Sequence, residues 1–384
     1  MKIAMFTDSY HPTVDGAVVA MERQCRGLEA RGHEIVLLAP DTPSREKTSR
    51  WPVHYLPSIE FRSYRDYRIV VSPSDMLEYL REQDVDIVHS HGLASMAILS
   101  LTAARALRLP SVLTFHTMAN EAVKYYSFIG LREDLMVPLV WVYLRNLLRR
   151  PDVVIFPSTP IEEEILGKGI RPVAHEVIPT GVDCAAFSPA NRDPSLLARY
   201  GLDGKRVILH VGRLSMEKRL DIILRAMTEL KEQDHDLRLL VVGAGPAQEH
   251  YRSMARDLGV ADEVVFTGFV SDDVLARAYA SCDILALAST FETQGLVILE
   301  AMASGTPVAG IECRAIPEFV REGYNGSLFD AESCVDGLRR CLEGAESYRA
   351  NAMETSRQYS VGACTARLEK AYERAADVSR ERKG

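Results

Sequence analysis

The chain has 384 residues, of which 47% are hydrophobic and 26% are charged, and its formal net charge is -8. This composition predicts a globular protein of two medium-sized domains, and the acidic balance argues against nucleic acid as a partner. The seven cysteines are scattered and include no Cys-x-x-Cys pair. That usage favours reduced thiols in a cytoplasm over a disulfide framework or a structural zinc site.

The N-terminal sequence MKIAMFTDSY reads directly as a strand, so we expect no signal peptide before the fold. The longest apolar run, Leu135 to Leu144, is too short to span a bilayer. We therefore expect a cytoplasmic protein that does not cross a membrane. Whether it lies on a membrane surface is a separate question.

Short apolar segments alternate with helical stretches along the whole chain. The predicted strands of the first half are KIAMFTD, EIVLLAP, DIVHSH, SVLTFHT and DVVIFPS, with a helix over 16–31 after the first. The rhythm restarts after residue 200 with RVILHVGR, a helix near 219–233, LRLLVVGAG, EVVFTGF, DILALAS and PVAGIE. This alternation predicts an α/β protein with two parallel, doubly wound sheets. The segment HEVIPTGVDCAAFSP is the predicted linker.

Ligands of open α/β sheets bind at the carboxyl ends of the strands, which directs attention to the loops that follow them. Gly16 opens a helix after the first strand, where helical N–H groups would point at an anion; a plain turn glycine is the alternative. His116 follows a later strand, although a lone histidine also fits a structural role. His89 and His91 share a strand but lack a third metal ligand nearby, so we interpret them as packing and loop-positioning residues.

The second half carries two cations in one turn. Arg213 and Lys218 lie between a strand and a helix, where they can converge on a diphosphate. The segment Gly243-Ala244-Gly245 lacks the third glycine of a dinucleotide fingerprint, and we interpret it as a nucleotide-facing loop. The loop that ends at Val270 is a further candidate to frame the base.

The stretch over 288–305, ASTFETQGLVILEAMASG, reads as a loop that feeds a helix, with Gly305 as its stop. Glu292 lies in the loop and Glu300 lies about two turns into the helix. The start of this helix would present free N–H groups near Gly295, Leu296 and Val297, with Gln294 just before them. These groups would lie between the carboxylates of Glu292 and Glu300, which only accept hydrogen bonds. A nucleotide sugar needs this set of donors and acceptors.

Two Asp-x-Asp patterns resemble the motif with which metal-dependent glycosyltransferases of a different fold hold Mn²⁺ or Mg²⁺. Asp84-Val85-Asp86 precedes its strand, and Asp234-His235-Asp236 occupies a helix–strand turn. Both lie away from the carboxyl ends of the strands, so we predict no metal at either.

The longer match FETQGLVILEAMASGTPVAG resembles the donor-site signature of glycosyltransferase family 4 and its retaining GT-B relatives. Gly212-Arg213-Leu214 and Glu217-Lys218 are similar to the family's Gly-Arg-Leu…Glu-Lys-Gly element, with Arg219 in place of the last glycine. FTDSYHPTVDGAVVA resembles the loop after the family's first strand, and Asp15 replaces the Asn or Gly of many relatives.

The resemblance implies a GT-B fold, in which two Rossmann-like domains face a central cleft. We expect an acceptor-side domain over 1–180, completed by the helix of 362–384, and a donor domain over 181–361. The implied catalytic residues are His116, Glu292, Arg213 and Lys218. The implied donor-binding residues are Gly16, Arg213, Lys218, Val270, Glu292, Gln294, Gly295, Leu296, Val297 and Glu300.

The implied reaction moves a hexose from a nucleotide-diphosphate sugar, such as a UDP- or GDP-hexose, to a hydroxyl acceptor with retention. The cations and amides would stabilise charge on the departing diphosphate, so no metal and no other cofactor is expected. Neither the base nor the sugar follows from the residues, because backbone and pocket shape make most of those contacts.

The acceptor is expected to be a membrane lipid. The combination of FTDSY…DGAVVA, DIVHSHG and TFHTM…YY looks most like the branch that glucosylates diacylglycerol, followed by the phosphatidylinositol mannosyltransferases. Residues 61–68 and 135–151 mix Arg with Trp and Tyr, which suits a peripheral contact with an anionic inner membrane face. An interior helix with a cationic last turn explains 135–151 equally well; Pro138 suits its first turn.

Other functions stay open from the sequence. A phosphatidylinositol-type or soluble acceptor would use the same donor site. A nucleotide-sugar epimerase could use the same frame but would need further acid and base groups. A nicotinamide oxidoreductase is disfavoured by the incomplete glycine fingerprint, and a non-catalytic sugar-nucleotide-binding protein would bind the donor without transfer or hydrolysis.

Overall fold

The computed structural model describes residues 1–12, 15–43, 48–60, 68–73, 75–116 and 133–383, with 133–136 described in backbone only. The chain divides into two compact units. The first contains residues 1–181 and 361–384, and the second contains residues 182–360.

The first unit contains the strands β1 (Lys2–Phe6), β2 (Glu34–Pro40), β3 (Val53–Leu56), β4 (Ser58–Glu60), β5 (Arg68–Val70), β6 (Ile87–Ser90), β7 (Ser111–Thr114), β8 (Val153–Phe156) and β9 (His175–Val177). Its described helices are α1 (Gly16–Ala30), α2 (Met76–Glu82), α3 (Ser95–Leu107), α4 (Glu133–Leu148), α5 (Thr159–Gly167) and, at the end of the chain, Val361–Glu381.

The main sheet of the first unit has the order β3-β2-β1-β6-β7-β8-β9 and is parallel throughout. β4 and β5 form a separate antiparallel pair. The chain builds outward from β1 in one direction and then resumes beside β1 with β6. Because the strand order reverses there, the carboxyl ends of β1 and β6 border a crevice in which ligands of such sheets bind.

The second unit contains α6 (Pro194–Arg199), β10 (Arg206–Val211), α7 (Leu220–Gln233), β11 (Leu237–Val242), α8 (Gln248–Asp257), β12 (Val264–Gly268), α9 (Asp272–Ser281), β13 (Ile284–Leu287), α10 (Leu296–Ala303), β14 (Val308–Ile311), α11 (Ile316–Phe319), β15 (Gly326–Phe329) and α12 (Cys334–Gln358). Short 3-10 turns cover Pro189–Asn191 and Met216–Lys218.

The sheet of the second unit has the order β12-β11-β10-β13-β14-β15 and is also parallel. The interior of β10 is buried on both faces, as a parallel sheet covered by helices requires: Val207, Ile208 and Leu209 are fully buried. The reversal of strand order falls between β10 and β13. The loops after these two strands therefore lie side by side.

The last helix, Val361–Glu381, is α13 and belongs to the first unit. It packs closely on α1, where a Cβ added to Gly27 would lie 2.1 Å from Oγ1 of Thr365. Glu369 of α13 accepts hydrogen bonds from Arg31 at 2.6 Å and pairs with His33 at 2.8 Å. The chain thus returns to the first unit after completing the second.

The predicted fold class is confirmed: both units are doubly wound, parallel and Rossmann-like, as in GT-B proteins. Two details of the prediction are wrong. His175–Val177, at the start of the predicted linker, is strand β9, because it completes the sheet by pairing with β8. Pro138 lies inside α4 and not in its first turn, because the helix begins at Glu133, with the acidic pair Glu133 and Asp134 ahead of Pro138.

Candidate functional site

An ion pair marks the reversal point of the second sheet. β10 and β13 run parallel, with Ile208 beside Ile284, so the turn after β10 and the loop after β13 meet at one edge. There Nζ of Lys218 donates to Oε1 of Glu292 at 2.7 Å. The two side chains are only 24% and 11% exposed. A cation and a carboxylate separated by 74 positions are therefore held together at the expected ligand edge.

The charge of Glu292 is set by its neighbours. Burial acts to raise the pKa of this carboxyl, but the attraction and hydrogen bond of Lys218, with a further hydrogen bond from Ser289, outweigh burial and hold the pKa below its ordinary value. Glu292 is therefore ionised near neutral pH. As a carboxylate it only accepts hydrogen bonds, which suits it to hold hydroxyl groups.

His210 is part of this site although the sequence analysis did not select it. It lies fully buried in β10, and its Nδ1 is 3.2 Å from the carbonyl oxygen of Ala286. Burial lowers the pKa of His210 to about 4, and the positive charge of Lys218 acts in the same direction. Its Nε2 is buried and has no hydrogen-bond partner among the described residues. A histidine inside an apolar strand normally reads as core, so no sequence signal singled it out.

Helix α10 begins at the same edge. Gly295 precedes it with a φ of 80°, a left-handed conformation that favours glycine, and its carbonyl accepts from the N–H of Ile298 at 2.9 Å. The first N–H groups of a helix have no partner within it, so those of Leu296 and Val297 are oriented for an anion. Gln294 is buried just ahead of this helix start.

Glu300 lies within α10 and is also buried. Its Oε2 accepts a hydrogen bond at 2.8 Å from Oη of Tyr279, a fully buried residue of α9. The ring of Phe187 packs edge-on against Tyr279, with the ring centroids 5.8 Å apart. Tyr279 therefore fixes the orientation of the Glu300 carboxylate.

Two further predicted donor residues of the second unit are Arg213 and Val270. Arg213 follows β10 in the same turn as Lys218, and its side chain is exposed. Val270 follows β12, the edge strand two places from β10, and is half-buried against the core of the unit. Its neighbour Phe269 is 87% exposed. The structure thus joins Lys218 to Glu292 directly and places Arg213 on the same turn.

The glycines after β11 have a packing role. A Cβ on Gly243 would lie 2.0 Å from the carbonyl oxygen of Gly212, and one on Gly245 would lie 2.3 Å from that of Leu214. The N–H of Leu214 donates to Ala244 at 3.0 Å. The two glycines let this loop lie directly against the turn that carries Arg213 and Lys218, and so help to hold that turn in place.

In the first unit, Asp15 occupies the start of α1. Its Oδ1 accepts from the N–H groups of Ala17 and Val18, both at 2.9 Å, and its Oδ2 accepts from Ser9 at 3.0 Å. Gly16 is the first helical residue, as expected. The N–H groups of the two residues after it are already used by a carboxylate, which reduces what this helix start can offer to an anionic ligand.

A second carboxylate, Asp8, follows β1. It is buried and accepts from the N–H groups of Ala94 and Met96 at 2.7 and 2.9 Å. Burial raises the pKa of Asp8 despite these hydrogen bonds. Asp8 therefore caps α3 from another strand, a role that the sequence analysis did not find because the two segments lie 86 positions apart or more.

His116 lies at the end of β7 in a group of three histidines. Its Nε2 is 2.8 Å from Nδ1 of His91. His89 lies beside them and contacts Oη of Tyr372 through Nδ1 at 2.8 Å and Oγ1 of Thr114 through Nε2 at 2.7 Å. Among the described residues, no group of three or more His, Cys, Asp or Glu is arranged to hold a metal ion.

The segments predicted to meet a membrane are only partly described. Residues 61–67 lie outside the described residues, and Arg68 donates to Oγ and O of Ser58. Helix α4 has an exposed apolar side with Leu139 and Val142, while Val140 and Leu144 are buried in the core. Within the described ranges, no helix is both long enough and apolar enough to cross a bilayer.

Two family models match the chain. The model described as Glycosyltransferase Family 4 covers residues 14–186, and the model described as Glycosyl transferases group 1 covers residues 196–358. Together with relatives that are 30% or more identical over most of their length, they show that the chain belongs to glycosyltransferase family 4. It is a glycosyltransferase with the GT-B fold.

Two curated relatives represent the branch to which the chain is similar. An alpha-monoglucosyldiacylglycerol synthase of Streptococcus pneumoniae is 30% identical, over 88% of this chain and 77% of the relative. A GDP-mannose-dependent alpha-mannosyltransferase of Mycolicibacterium smegmatis is 32% identical, over 94% of this chain and 92% of the relative. The predicted family and branch are confirmed.

Solved structures support the fold. Anabaena HepE in complex with UDP and glucose matches with a TM-score of 0.76 and 20% identity, over 97% of this chain and 99% of that chain. Sucrose-phosphate synthase from Thermosynechococcus elongatus matches with a TM-score of 0.74 and 21% identity, over 97% and 98% of the two chains. These similarities concern the fold alone.

Proposed function

We propose that the protein transfers a hexose from a nucleotide-diphosphate sugar to a hydroxyl acceptor with retention, and that the acceptor is a membrane lipid such as diacylglycerol. The observation that carries the proposal is the partly buried Lys218–Glu292 pair at the reversal point of the second sheet. It supplies a fixed cation and an ionised acceptor at the edge where α10 presents its N-terminal N–H groups.

The role of each site residue follows from its charge. When the bond from the anomeric carbon to the β-phosphate oxygen breaks, negative charge grows on the diphosphate. Lys218, Arg213 and the first N–H groups of α10 stabilise that charge without a metal. Glu292 accepts hydrogen bonds from sugar hydroxyls, and Glu300 accepts from the ribose, with Tyr279 keeping its second oxygen occupied. Gln294, Val270 and Gly16 complete the donor contacts.

Retention requires the acceptor oxygen to approach the face of the sugar that the diphosphate leaves. The acceptor hydroxyl then forms the new bond to the anomeric carbon and passes its proton to the departing diphosphate oxygen. No described residue has to act as a covalent nucleophile in this route. His116 would contact the sugar near the acceptor.

A lipid acceptor is supported by the branch of relatives and by α4. Leu139 and Val142 give this helix an exposed apolar side, and Arg145 lies next along that side, in the last turn of the helix. An apolar helix side next to cations suits the surface of an anionic membrane. We propose a peripheral enzyme on the cytoplasmic face of a membrane.

Mannosyl transfer from GDP-mannose is a second candidate. The mannosyltransferase relative matches a larger share of this chain than the glucosyltransferase relative does, 94% against 88%, at similar identity. The same site would serve both reactions, because Lys218, Glu292 and the α10 amides contact parts that the two donors share.

The test measures transfer for each combination of sugar donor and lipid acceptor. Purified protein is incubated with UDP-, GDP- and ADP-hexoses, with and without vesicles that contain diacylglycerol or phosphatidylinositol, and the released nucleotide and the glycolipid are measured. The anomeric configuration of the product is read by NMR. We expect one donor to be used, a retained configuration, and a higher rate with lipid.

Lys218→Ala should lower turnover about 100-fold or more, because it removes a cation from the leaving group. The matched control is Lys205→Ala, which removes a lysine that pairs with Asp236 on the surface of the same unit. Full turnover of Lys218→Ala, or no use of any donor, would refute the proposal. An inverted product would refute retention alone.

A further inference from the structure

The hydrogen bond between His91 and His116 has a direction that the structure allows us to infer. Their ring planes differ by 17°, their centroids are 5.1 Å apart, and Nδ1 of His91 is 2.8 Å from Nε2 of His116. So short a contact is compatible with that centroid distance only if the two rings lie end to end. The contact is therefore an in-line hydrogen bond in which one ring donates and the other accepts.

Both rings are neutral near pH 7. Burial lowers the pKa of His116 to about 4, although the nearby Asp15 carboxylate acts to raise it. Burial and the two neighbouring histidines lower the pKa of His91 further. A neutral imidazole carries one N–H and one lone pair, so the direction of this bond decides the position of the proton on both rings.

The second ring nitrogen of His91, Nε2, decides whether His91 or His116 is the donor. This nitrogen is buried and has no hydrogen-bond partner among the described residues. If His116 donated, His91 Nε2 would carry a proton, and this N–H would be buried without an acceptor. If His91 donates through Nδ1, its Nε2 carries no proton, and only an acceptor lone pair is left without a partner. Buried donors without partners are rarer in proteins than under-used acceptors, so the second arrangement is favoured.

His89 holds this arrangement in place without satisfying Nε2 of His91. Both of its own nitrogens are engaged, with Tyr372 of α13 and Thr114 of β7. Its ring lies against the His91 ring, with centroids 4.3 Å apart. Residues from β6, β7 and the C-terminal helix thus fix the orientation of His91.

We propose that His91 is a positioning residue that donates its Nδ1–H to Nε2 of His116 and so holds His116 as the Nδ1–H tautomer. In this form His116 offers a hydrogen-bond donor at Nδ1, and the lone pair on its Nε2 already accepts the hydrogen bond from His91. His116 therefore donates to a sugar or acceptor oxygen and does not remove the acceptor proton. The role assigned to His116 rests on the proposed transfer reaction, but its tautomer does not.

The first test reads the tautomer directly. The full-length protein is labelled with 15N-histidine, and the ring nitrogen shifts are measured near neutral pH. The His116 signals are identified by their loss in His116→Gln. We expect a protonated Nδ1 and an unprotonated Nε2. A protonated Nε2 on His116 in the wild-type protein would overturn the inference, whatever the enzyme transfers.

The second test separates positioning from a structural role. His91→Asn places an amide N–H near the position of Nδ1, whereas His91→Leu removes the donor. In the Leu variant we expect the Nε2–H form of His116 to appear and kcat to fall about tenfold, the size of one lost hydrogen bond, with the donor KM within about twofold. The Asn variant should recover most of kcat. His250→Gln, on an exposed helix site, is the matched control.

Equal losses in His91→Asn and His91→Leu, or wild-type kcat in the Leu variant, would overturn the positioning role. If no donor is transferred at all, the proposed function fails, and the nitrogen shifts still decide the tautomer. If transfer proceeds but Nε2 is protonated, only this inference fails.

Discussion

Burial has different consequences for the histidines of the two units and for Glu292 of the second unit. His89, His91, His116 and His210 are held neutral because desolvation dominates their surroundings. Glu292 stays ionised at similar burial, because Lys218 is in direct contact with it. In the second unit, the contact with Lys218 therefore outweighs burial and keeps Glu292 charged.

Replacing Glu292 by Gln keeps the shape and removes the charge. We expect donor turnover to fall about 100-fold, because the amide no longer anchors Lys218 and accepts at only one oxygen. The matched control is Glu322→Gln, an exposed carboxylate that pairs with Arg340 in the same unit. Turnover within about twofold of wild type would contradict the role of Glu292.

Glu292→Gln should also change how the free energy of unfolding depends on pH. The folded-state pKa of Glu292 is depressed, so its contribution to the free energy of unfolding is present above the unfolded-state pKa of about 4.3 and is lost as the pH falls through the folded-state pKa. Calorimetry between about pH 6 and about pH 3 should show a smaller loss of stability in Glu292→Gln than in wild type. Equal losses would contradict the assigned pairing.

Tyr279→Phe tests the orientation of Glu300. Loss of the hydroxyl frees the carboxylate to rotate, and we expect the donor KM to rise about threefold to tenfold with kcat little changed, since one neutral-to-charged hydrogen bond is lost. Tyr324→Phe is the matched control, because Tyr324 makes the same kind of bond to Glu354 at 3.1 Å on the surface. A fall in kcat without a change in KM would contradict a binding role.

At the scale of elements, Lys218, Glu292 and His116 each lie in the segment that follows the end of a parallel strand. The βαβ pattern predicted these places, because hydrophobic runs and turn residues are local features. The pattern did not predict that the turn after β10 rests on the loop after β11 through Gly243 and Gly245. This contact is between backbones and leaves only glycines as a trace in the sequence.

Gly243→Ala tests that contact. The new Cβ would lie 2.0 Å from the carbonyl oxygen of Gly212, in a backbone with φ of 130°. We expect the second unit to lose about 2–4 kcal/mol of stability in calorimetry. Gly201→Ala has a similar positive φ of 71° but no atom within 4 Å of the Cβ, and should cost about 1 kcal/mol. Equal costs would mean that backbone strain alone is responsible.

At the scale of the whole molecule, the C-terminal helix makes the first unit discontinuous in sequence. Leu368, Ala371 and Ala375 of α13 are buried, and Tyr372 reaches His89 across 283 positions. The first unit therefore cannot be completed until the last residues of the chain are present.

A chain that ends at Ser360 tests this dependence. Both tryptophans, Trp51 and Trp141, lie in the first unit, so their emission reports on it alone. Loss of the buried face of α13 should shift the emission towards that of unfolded protein, while the thermal transition of the second unit remains. A chain that ends at Arg382 keeps the helix and is the control. Native emission in the shorter chain would contradict the prediction.

The sequence by itself determined the strand and helix pattern, the α/β class and the residue types available at the strand ends, because period and turn chemistry are local. It also carried the Glu292 to Glu300 spacing within one loop and helix. Only the tertiary structure decided which groups meet: Lys218 with Glu292, Asp8 with the start of α3, Tyr279 with Glu300, and His91 with His116. These pairs depend on strand order and helix packing, which bring distant positions within hydrogen-bonding distance and which no local pattern records.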